Sequence, residues 1–420
     1  MVTMNSLSLA DASNARPRRR SRPLDAGGAG VPDRRSGLRV LMIGPYPLEP
    51  GRVRGGIESV TSVLVPALAA RDDVESITVV RFHDGDAPVS FRREGEKVDV
   101  HYVRSQRWLR TLTGSYLDLC KARRVVRRLR PDVVHGQEIG LSGAIALRCS
   151  PNTAVTVHGV LLSDMSSEGH GMRCLRRVLR DGLMRRMQQS VLRRARLVIS
   201  ISNWDTKILD VPMRGERVLI ANPIGGEFFS LAPSGLTRPH VLFAGVFTER
   251  KNPIGVINAF ALARAFVPSA TLTLVGPHPD FDYLRAVRNR VEDLGLRGCV
   301  EIADLVGVER MREEIAAARA VALFSREENA PTILAQAMAA GKPVIASRVG
   351  GVTDMVSDDE TGFLVDSDDE PALADRMVRL LGDQALALRM GWRAHEVAVD
   401  RFTAAAVAER TVAAYRNVLS

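Results

Sequence analysis

Residues 320–351 constrain the fold more than any other stretch of the chain. Val321-Ala322-Leu323-Phe324 is a short apolar run of the kind that parallel sheets bury on both faces. A polar turn follows from Ser325 to Pro331, and Thr332–Ala340 then reads as a helix with Ile333, Leu334, Ala337 and Met338 on its inner face. Gly341 stops that helix, and Lys342–Ser347 begins another buried strand. A strand–turn–helix–strand unit sets its turn and its helix N-terminus at the carboxyl edge of a parallel sheet, where α/β proteins take their ligands. Free N–H groups and the positive end of the helix dipole favour a phosphate there. Glu328 stands at the mouth of the helix, and Gln336 lies about two turns further along the same side. Such a pair suits an elongated ligand with hydroxyls at both ends and phosphates between them.

The same segment resembles the nucleotide-sugar loop of the retaining glycosyltransferases of family 4, which have the GT-B fold. That family carries a spaced pair of glutamates, then Ala-Met-Ala, a glycine and Pro-Val-x-Ala-Ser. Here the elements fall on Glu328, Ala337-Met338-Ala339, Gly341 and Pro343-Val344-Ile345-Ala346-Ser347, and Gln336 replaces the second glutamate. The resemblance implies an α/β chain of GT-B architecture: two Rossmann-like doubly wound domains facing each other across a cleft. It further implies transfer of a sugar from a nucleotide-sugar donor to an acceptor hydroxyl with retained anomeric configuration, using neither a bound metal nor a cofactor.

The length of 420 residues exceeds one ordinary domain and suits two α/β domains. With 45% hydrophobic and 25% charged residues the composition is globular, and no apolar run reaches the length of a membrane span. Residues 1–36 hold Arg16, Arg18, Arg19, Arg20, Arg22, Arg34 and Arg35 among Ser, Pro and Gly, which reads as a disordered basic tail rather than a signal peptide. Cys120, Cys149, Cys174 and Cys299 show no metal-ligand spacing and read as reduced thiols of a cytoplasmic protein. The net charge of +10 is concentrated in Lys121–Arg130, in Arg173–Arg180, and in Arg185-Arg186 and Arg193-Arg194. Leu175, Val178, Leu179, Leu183, Met184 and Met187 interleave the second cluster at helical spacing. Basic amphipathic helices suit an anionic membrane surface, and an Arg-rich solvated face is the alternative. With 5% aromatic residues and no recognisable binding module, nucleic acid is not an expected partner.

In chain order, Leu38–Ile43 is a first buried strand, and Arg54-Gly55-Gly56-Ile57-Glu58 opens a helix where the backbone can approach a ligand closely. Gly-x-Gly-x-x-Gly is absent after the first strand, which argues against a nicotinamide-dependent enzyme. Strands at 77–82, 98–103 and 132–135 follow, and Ala154–Val157 ends in His158-Gly159. His135 stands at another carboxyl edge, open to a structural or a functional reading. After the strand 197–202 and the turn Asn222-Pro223-Ile224-Gly225, the Pro- and Gly-bearing tract 230–239 marks a linker. The domains are thus 37–229 and 240–401, with a final amphipathic helix over 402–420. The second domain restarts with a strand ending in Gly245, and Arg250 and Lys251 sit at its strand-to-helix turn.

By resemblance, 37–229 binds the acceptor, 240–401 binds the donor, and the last helix crosses back to the first domain. His158 matches a histidine lining the donor-sugar pocket, and Gly55 and Gly56 match the glycine-rich first loop. Lys251 falls on the family's diphosphate lysine, whereas Val246 occupies the usual arginine position and Asn252 that of a second glycine. Arg250 is the neighbouring candidate to replace that arginine. Glu328, with the backbone of Asn329 and Ala330, would grip sugar hydroxyls, and the N–H groups at the helix start, Thr332 onward, would face the diphosphate. Pro331 offers no N–H where many relatives have glycine. Gln336 would bond the ribose, and its amide both donates and accepts. The implied partners are a nucleotide-sugar donor and a saccharide or lipid-linked acceptor, at the inner face of the cell membrane if the basic helices bind lipid. A non-catalytic binding protein and a nucleotide-sugar epimerase of the same fold are the competing readings.

Overall fold

The computed structural model describes residues 37–51, 53, 55–85, 87, 89–105, 116–159, 172–209, 211–231 and 238–419, and of 172–180 the backbone alone. The basic tail 1–36, Arg54 and most of the linker tract lie outside the described residues. Everything described belongs to one compact unit, Ser36–Ser420.

Two sheets form. The first runs β1 (Leu38–Ile43), β2 (Val74–His83), β3 (Phe91–Glu94), β4 (Val98–Arg104), β5 (Val133–Gly136), β6 (Thr153–Val157), β7 (Leu197–Ser200) and β8 (Glu216–Leu219) in sequence. Its spatial order is β3-β4-β2-β1-β5-β6-β7-β8. The second contains β9 (His240–Ala244), β10 (Thr271–Val275), β11 (Val300–Ala303), β12 (Ala320–Leu323), β13 (Val344–Ser347) and β14 (Gly362–Val365), ordered β11-β10-β9-β12-β13-β14. Pairing is parallel except for β3, which lies antiparallel on β4 at the edge. In each sheet the chain first winds outward and then crosses to the other side. The reversal falls between β1 and β5 in the first sheet and between β9 and β12 in the second. Crevices for ligands open at such switch points.

The strands form where they do because both faces of each sheet are covered. In β1, Val40 and Met42 enter one core while Leu41 and Ile43 enter another, as the two-residue period requires. β9 divides likewise, with Val241 and Phe243 on one face and Leu242 and Ala244 on the other. Side-chain caps fix the helix starts in the second half. Asn252 accepts from Gly255 N–H, Asp280 from Asp282 and Tyr283, and Asp369 from Ala372.

The helix Gln384–Phe402 contributes Ala394, Ala398 and Phe402 to the core of the second sheet. The next helix, Ala404–Leu419, buries Val407, Val412 and Tyr415 in the core of the first. The joint is pinned where Ile224 N–H donates to the Phe402 carbonyl at 2.8 Å. The helix thus crosses between the sheets beside the point where the first one ends.

Packing of Gln384–Phe402 relies on Gly391, where an added Cβ would stand 2.0 Å from the Gly341 carbonyl oxygen. Backbone is the obstacle, so Gly391→Ala should cost roughly 1–3 kcal/mol. Gly382→Ala, at a helical glycine with open space around it, should be neutral or stabilising by up to about 1 kcal/mol. Urea denaturation of the two variants checks this, and equal midpoints would contradict the packing described.

Candidate functional site

The site is built from the two turns at the switch point of the second sheet. β9 leads through Gly245 and Val246 to Arg250, Lys251 and Asn252, and β12 leads to Glu327, Glu328 and Asn329. Glu328 is buried, 6% exposed at its side chain, and Lys251 Nζ donates directly to its Oε1. Arg250 lies 3.8 Å from the other carboxylate oxygen and donates to the Glu327 carbonyl at 2.9 Å. The turns are also joined through the backbone, where Arg326 N–H reaches the Arg250 carbonyl at 2.8 Å. Asn252 has φ of +50°, the left-handed region that asparagine tolerates better than most residues, while its side chain caps the following helix.

Gly350 and Gly351 lie over the backbone of 328 and 329. Gly350 has φ of +52°, and a Cβ on it would meet the Glu328 carbonyl oxygen at 1.8 Å. Gly351 N–H donates to that same carbonyl at 3.0 Å. Asn329 turns toward the first sheet: its Oδ1 accepts from Ser202 Oγ, and its Nδ2 donates to the Val157 carbonyl at 3.4 Å. A second link joins Asn203, whose N–H and amide bond to the Asp354 carboxylate.

Facing these turns is the carboxyl edge of the first sheet. His158 follows β6, Gln137 and Glu138 follow β5, and Trp204 follows β7. His158 Nε2 bonds Gln137 Oε1 at 2.9 Å. Behind it His135 is fully buried, with Nδ1 2.6 Å from Tyr415 Oη and Nε2 2.8 Å from Thr156 Oγ1. Burial lowers His135 to about 3 and His158 to about 4, so both rings are neutral at neutral pH. The Tyr415 hydroxyl is raised by the same burial.

Between the two edges lies a cleft of about 740 Å³. Of the residues expected from the sequence, it brings together Gly56, His158, Gly245, Arg250, Lys251, Glu328, Asn329, Ala330, Pro331 and Thr332. Gly55, exposed at the start of the helix Gly56–Ala69, and Gln336, half-buried on Thr332–Ala339, do not line it. Val246 does, and Arg250 lines the same cleft. His135 belongs to the first domain's interior rather than to the cleft wall. Sequence reasoning missed Gln137, Glu138, Gln188, Trp204 and the Asn329–Ser202 link. The available signal was weak: polar residues within a few positions of an apolar strand's carboxyl end. Among the described residues no group of three or more His, Cys, Asp or Glu is placed to hold a metal ion.

Comparison with known proteins assigns both halves. Residues 55–221 match the glycosyl transferase 4-like domain, and residues 230–397 match the glycosyl transferases group 1 family. Among curated relatives, N-acetyl-alpha-D-glucosaminyl L-malate synthase of Bacillus anthracis is 31% identical over 41% of this chain and 44% of its own length. Alpha-maltose-1-phosphate synthase of Mycolicibacterium smegmatis is 32% identical over 44% of this chain and 49% of its own. The matched region spans less than half the length of these relatives. Among solved structures, sucrose-phosphate synthase from Thermosynechococcus elongatus superposes with a TM-score of 0.75 at 23% identity, covering 91% of this chain and 99% of its own. Anabaena Alr3699/HepE, in complex with UDP and glucose, gives 0.67 at 21% identity, covering 90% and 98%. At these identities the likeness establishes the fold. With its two halves matched in order and the two-sheet architecture in common, the chain belongs to the group 1 glycosyltransferases of GT-B fold.

Proposed function

We propose that this protein is a retaining, metal-independent glycosyltransferase that moves a sugar from a nucleoside-diphosphate donor to an acceptor hydroxyl. The observation that carries the reading is the Lys251–Glu328 pair with Arg250 beside it, at the mouth of the helix Thr332–Ala339. A buried carboxylate and a half-buried ammonium neutralise each other here, and a nucleotide sugar offers each a substitute partner. The diphosphate takes Lys251, Arg250 and the N–H groups at the helix start, and the sugar hydroxyls donate to Glu328. As the anomeric C–O bond breaks, the electron pair goes to the departing diphosphate, and these fixed cations stabilise the growing charge. In this reading 240–401 holds the donor, with Gln336 at the ribose, and 37–229 holds the acceptor. The helix Ala404–Leu419 ties the two together. Trp204, Glu138 and Gln188 supply an aromatic face and hydroxyl partners on the acceptor side. The curated relatives, which include a glucosaminyl L-malate synthase and a maltose-1-phosphate synthase by name, support the reaction class.

The acceptor side of the proposal extends to the membrane. Among the described residues no helix is long and apolar enough to cross a bilayer. The helix Tyr116–Leu129, however, exposes Lys121, Arg123, Arg124, Arg127 and Arg128. Each basic residue close to an anionic surface contributes about 1 kcal/mol. Peripheral attachment at the inner, cytoplasmic face, with a lipid-linked acceptor, follows as part of the same proposal.

Incubation with a panel of UDP-, GDP- and ADP-sugars, reading released nucleoside diphosphate, tests the reaction. One nucleotide should bind saturably, and Lys251→Ala and Glu328→Gln should each lower turnover by about 100-fold or more. Lys251→Ala also strands a buried carboxylate at about 3–5 kcal/mol, so a melting curve accompanies it. A folded protein that binds no nucleotide would end this reading. NMR of the product's anomeric proton decides retention against inversion.

Flotation with phosphatidylserine vesicles tests the membrane element. Replacing Arg124, Arg127 and Arg128 with Gln should abolish binding, and flotation unchanged by that triple replacement would remove the membrane from the proposal.

A further inference from the structure

We infer that Gln137 is a positioning residue for His158, holding its neutral ring in the Nε2–H tautomer so that Nδ1 is left as a hydrogen-bond acceptor for a ligand hydroxyl in the cleft. The functional half of this inference rests on the glycosyltransferase reading; the tautomer itself does not.

The proton order follows from the buried end. Tyr415 is fully buried, and its phenol is a strong donor that needs an acceptor; the nitrogen 2.6 Å away is Nδ1 of His135. An Nδ1 that accepts carries no proton, so the neutral His135 ring has its hydrogen on Nε2. That hydrogen is directed to Thr156 Oγ1 at 2.8 Å. Gln137, also fully buried, has its amide nitrogen 3.3 Å from the same Nδ1. The same amide atom is 3.5 Å from Nε2, so it lies over the ring face rather than in line with either nitrogen; the electron-rich face of the neutral ring favours the NH₂ there, which turns Oε1 toward His158. An amide oxygen only accepts, so His158 Nε2, 2.9 Å away, must donate. One proton order therefore runs from the crossing helix Ala404–Leu419 through His135 and Gln137 to the cleft wall.

The arrangement has a chemical use. A neutral histidine with a fixed acceptor nitrogen binds a hydroxyl without adding positive charge opposite Arg250 and Lys251. The diphosphate is then drawn to the second domain's wall alone, and the sugar is left to the first. The ionisable groups around His158 are His135 on β5, Tyr415 on the crossing helix, Glu138 at the cleft, and Lys251 and Glu328 across it. Gln137 is the group in direct hydrogen-bond contact with the His158 ring nitrogen.

Histidine side-chain nitrogen NMR, with the His158 signals assigned from His158→Asn, reads the tautomer without any substrate. The intact chain should show neutral His158 protonated on Nε2. Gln137→Met, which fills the space without an acceptor, should lose that preference, and Gln137→Glu, which keeps an acceptor oxygen, should retain it. An Nδ1–H tautomer in the intact chain, or a tautomer unmoved by Gln137→Met, overturns the inference. In the donor assay, Gln137→Met should raise donor KM roughly tenfold with kcat little changed, and Gln137→Glu, whose carboxylate raises the His158 pKa, should restore it only at a pH high enough to keep that ring neutral. A correct tautomer with donor KM equal in all three proteins would refute the positioning role. Failure of the intact chain to bind any nucleotide would instead strike the glycosyltransferase reading and leave the tautomer result standing.

Discussion

The Glu328 carboxylate cannot be buried without a counter-ion, and meeting that need organises the centre of the molecule. Its partner Lys251 comes from the turn after β9, so the ion pair ties together the two turns that bracket the switch point of the second sheet. The backbone around the pair is unusual at two points. Asn252 sits in the left-handed region to redirect the chain into its helix, and Gly350 does so to let the β13 turn close over the Glu328 carbonyl. With 328 fixed, Asn329 is aimed at Ser202 and the Val157 carbonyl of the first sheet. The ion pair thus sets both the charge inside the cleft and one of the contacts that hold its walls together.

How much of this could be read from the sequence depended on whether the determinant was local. Parallel strands buried on both faces leave solid apolar runs such as 240–244 and 344–347, and these read cleanly. β3, Phe-Arg-Arg-Glu at 91–94, did not: an antiparallel edge strand with one exposed face is mostly charged and carries no such run. The helix Leu141–Cys149 was also missed, because it is built of small residues and starts at Gly140 without a side-chain cap. The turn at 325–331 was legible because its chemistry is carried by residues adjacent in sequence. Gln137, Trp204 and Tyr415 were not, since each acquires its role only from residues brought near by the fold. The His135–Tyr415 contact joins positions 280 residues apart.

Departures from the family pattern sort by the same physics. A glycine position occupied by Asn252 is tolerable because the required φ is +50°, where asparagine pays the smallest penalty of the side-chain-bearing residues and here gains a capping bond. Where the resemblance expects an arginine stands Val246, and Arg250 lines the same cleft with a side chain that is 44% exposed. That exposure also gives Arg250 rotameric freedom which Lys251, held against Glu328, lacks.

The two walls of the cleft are electrostatically unequal, and this follows from how each is buried. On the second domain's wall, Lys251 is in direct contact with the Glu328 carboxylate. In the first domain, His158 on the cleft wall and His135 behind it have amide and hydroxyl partners and no carboxylate contact, so desolvation wins and they stay neutral. In the proposed reading, a diphosphate entering the cleft meets Lys251, Arg250 and helix N–H groups on one side, and neutral histidine and amide groups with the Glu138 carboxylate on the other. The direction of the field therefore orients a dipolar ligand before any hydroxyl contact forms. A carboxylate placed beside His158 would raise its pKa and blur that distinction, which is the physical reason an amide at 137 serves this cleft better than an acid would.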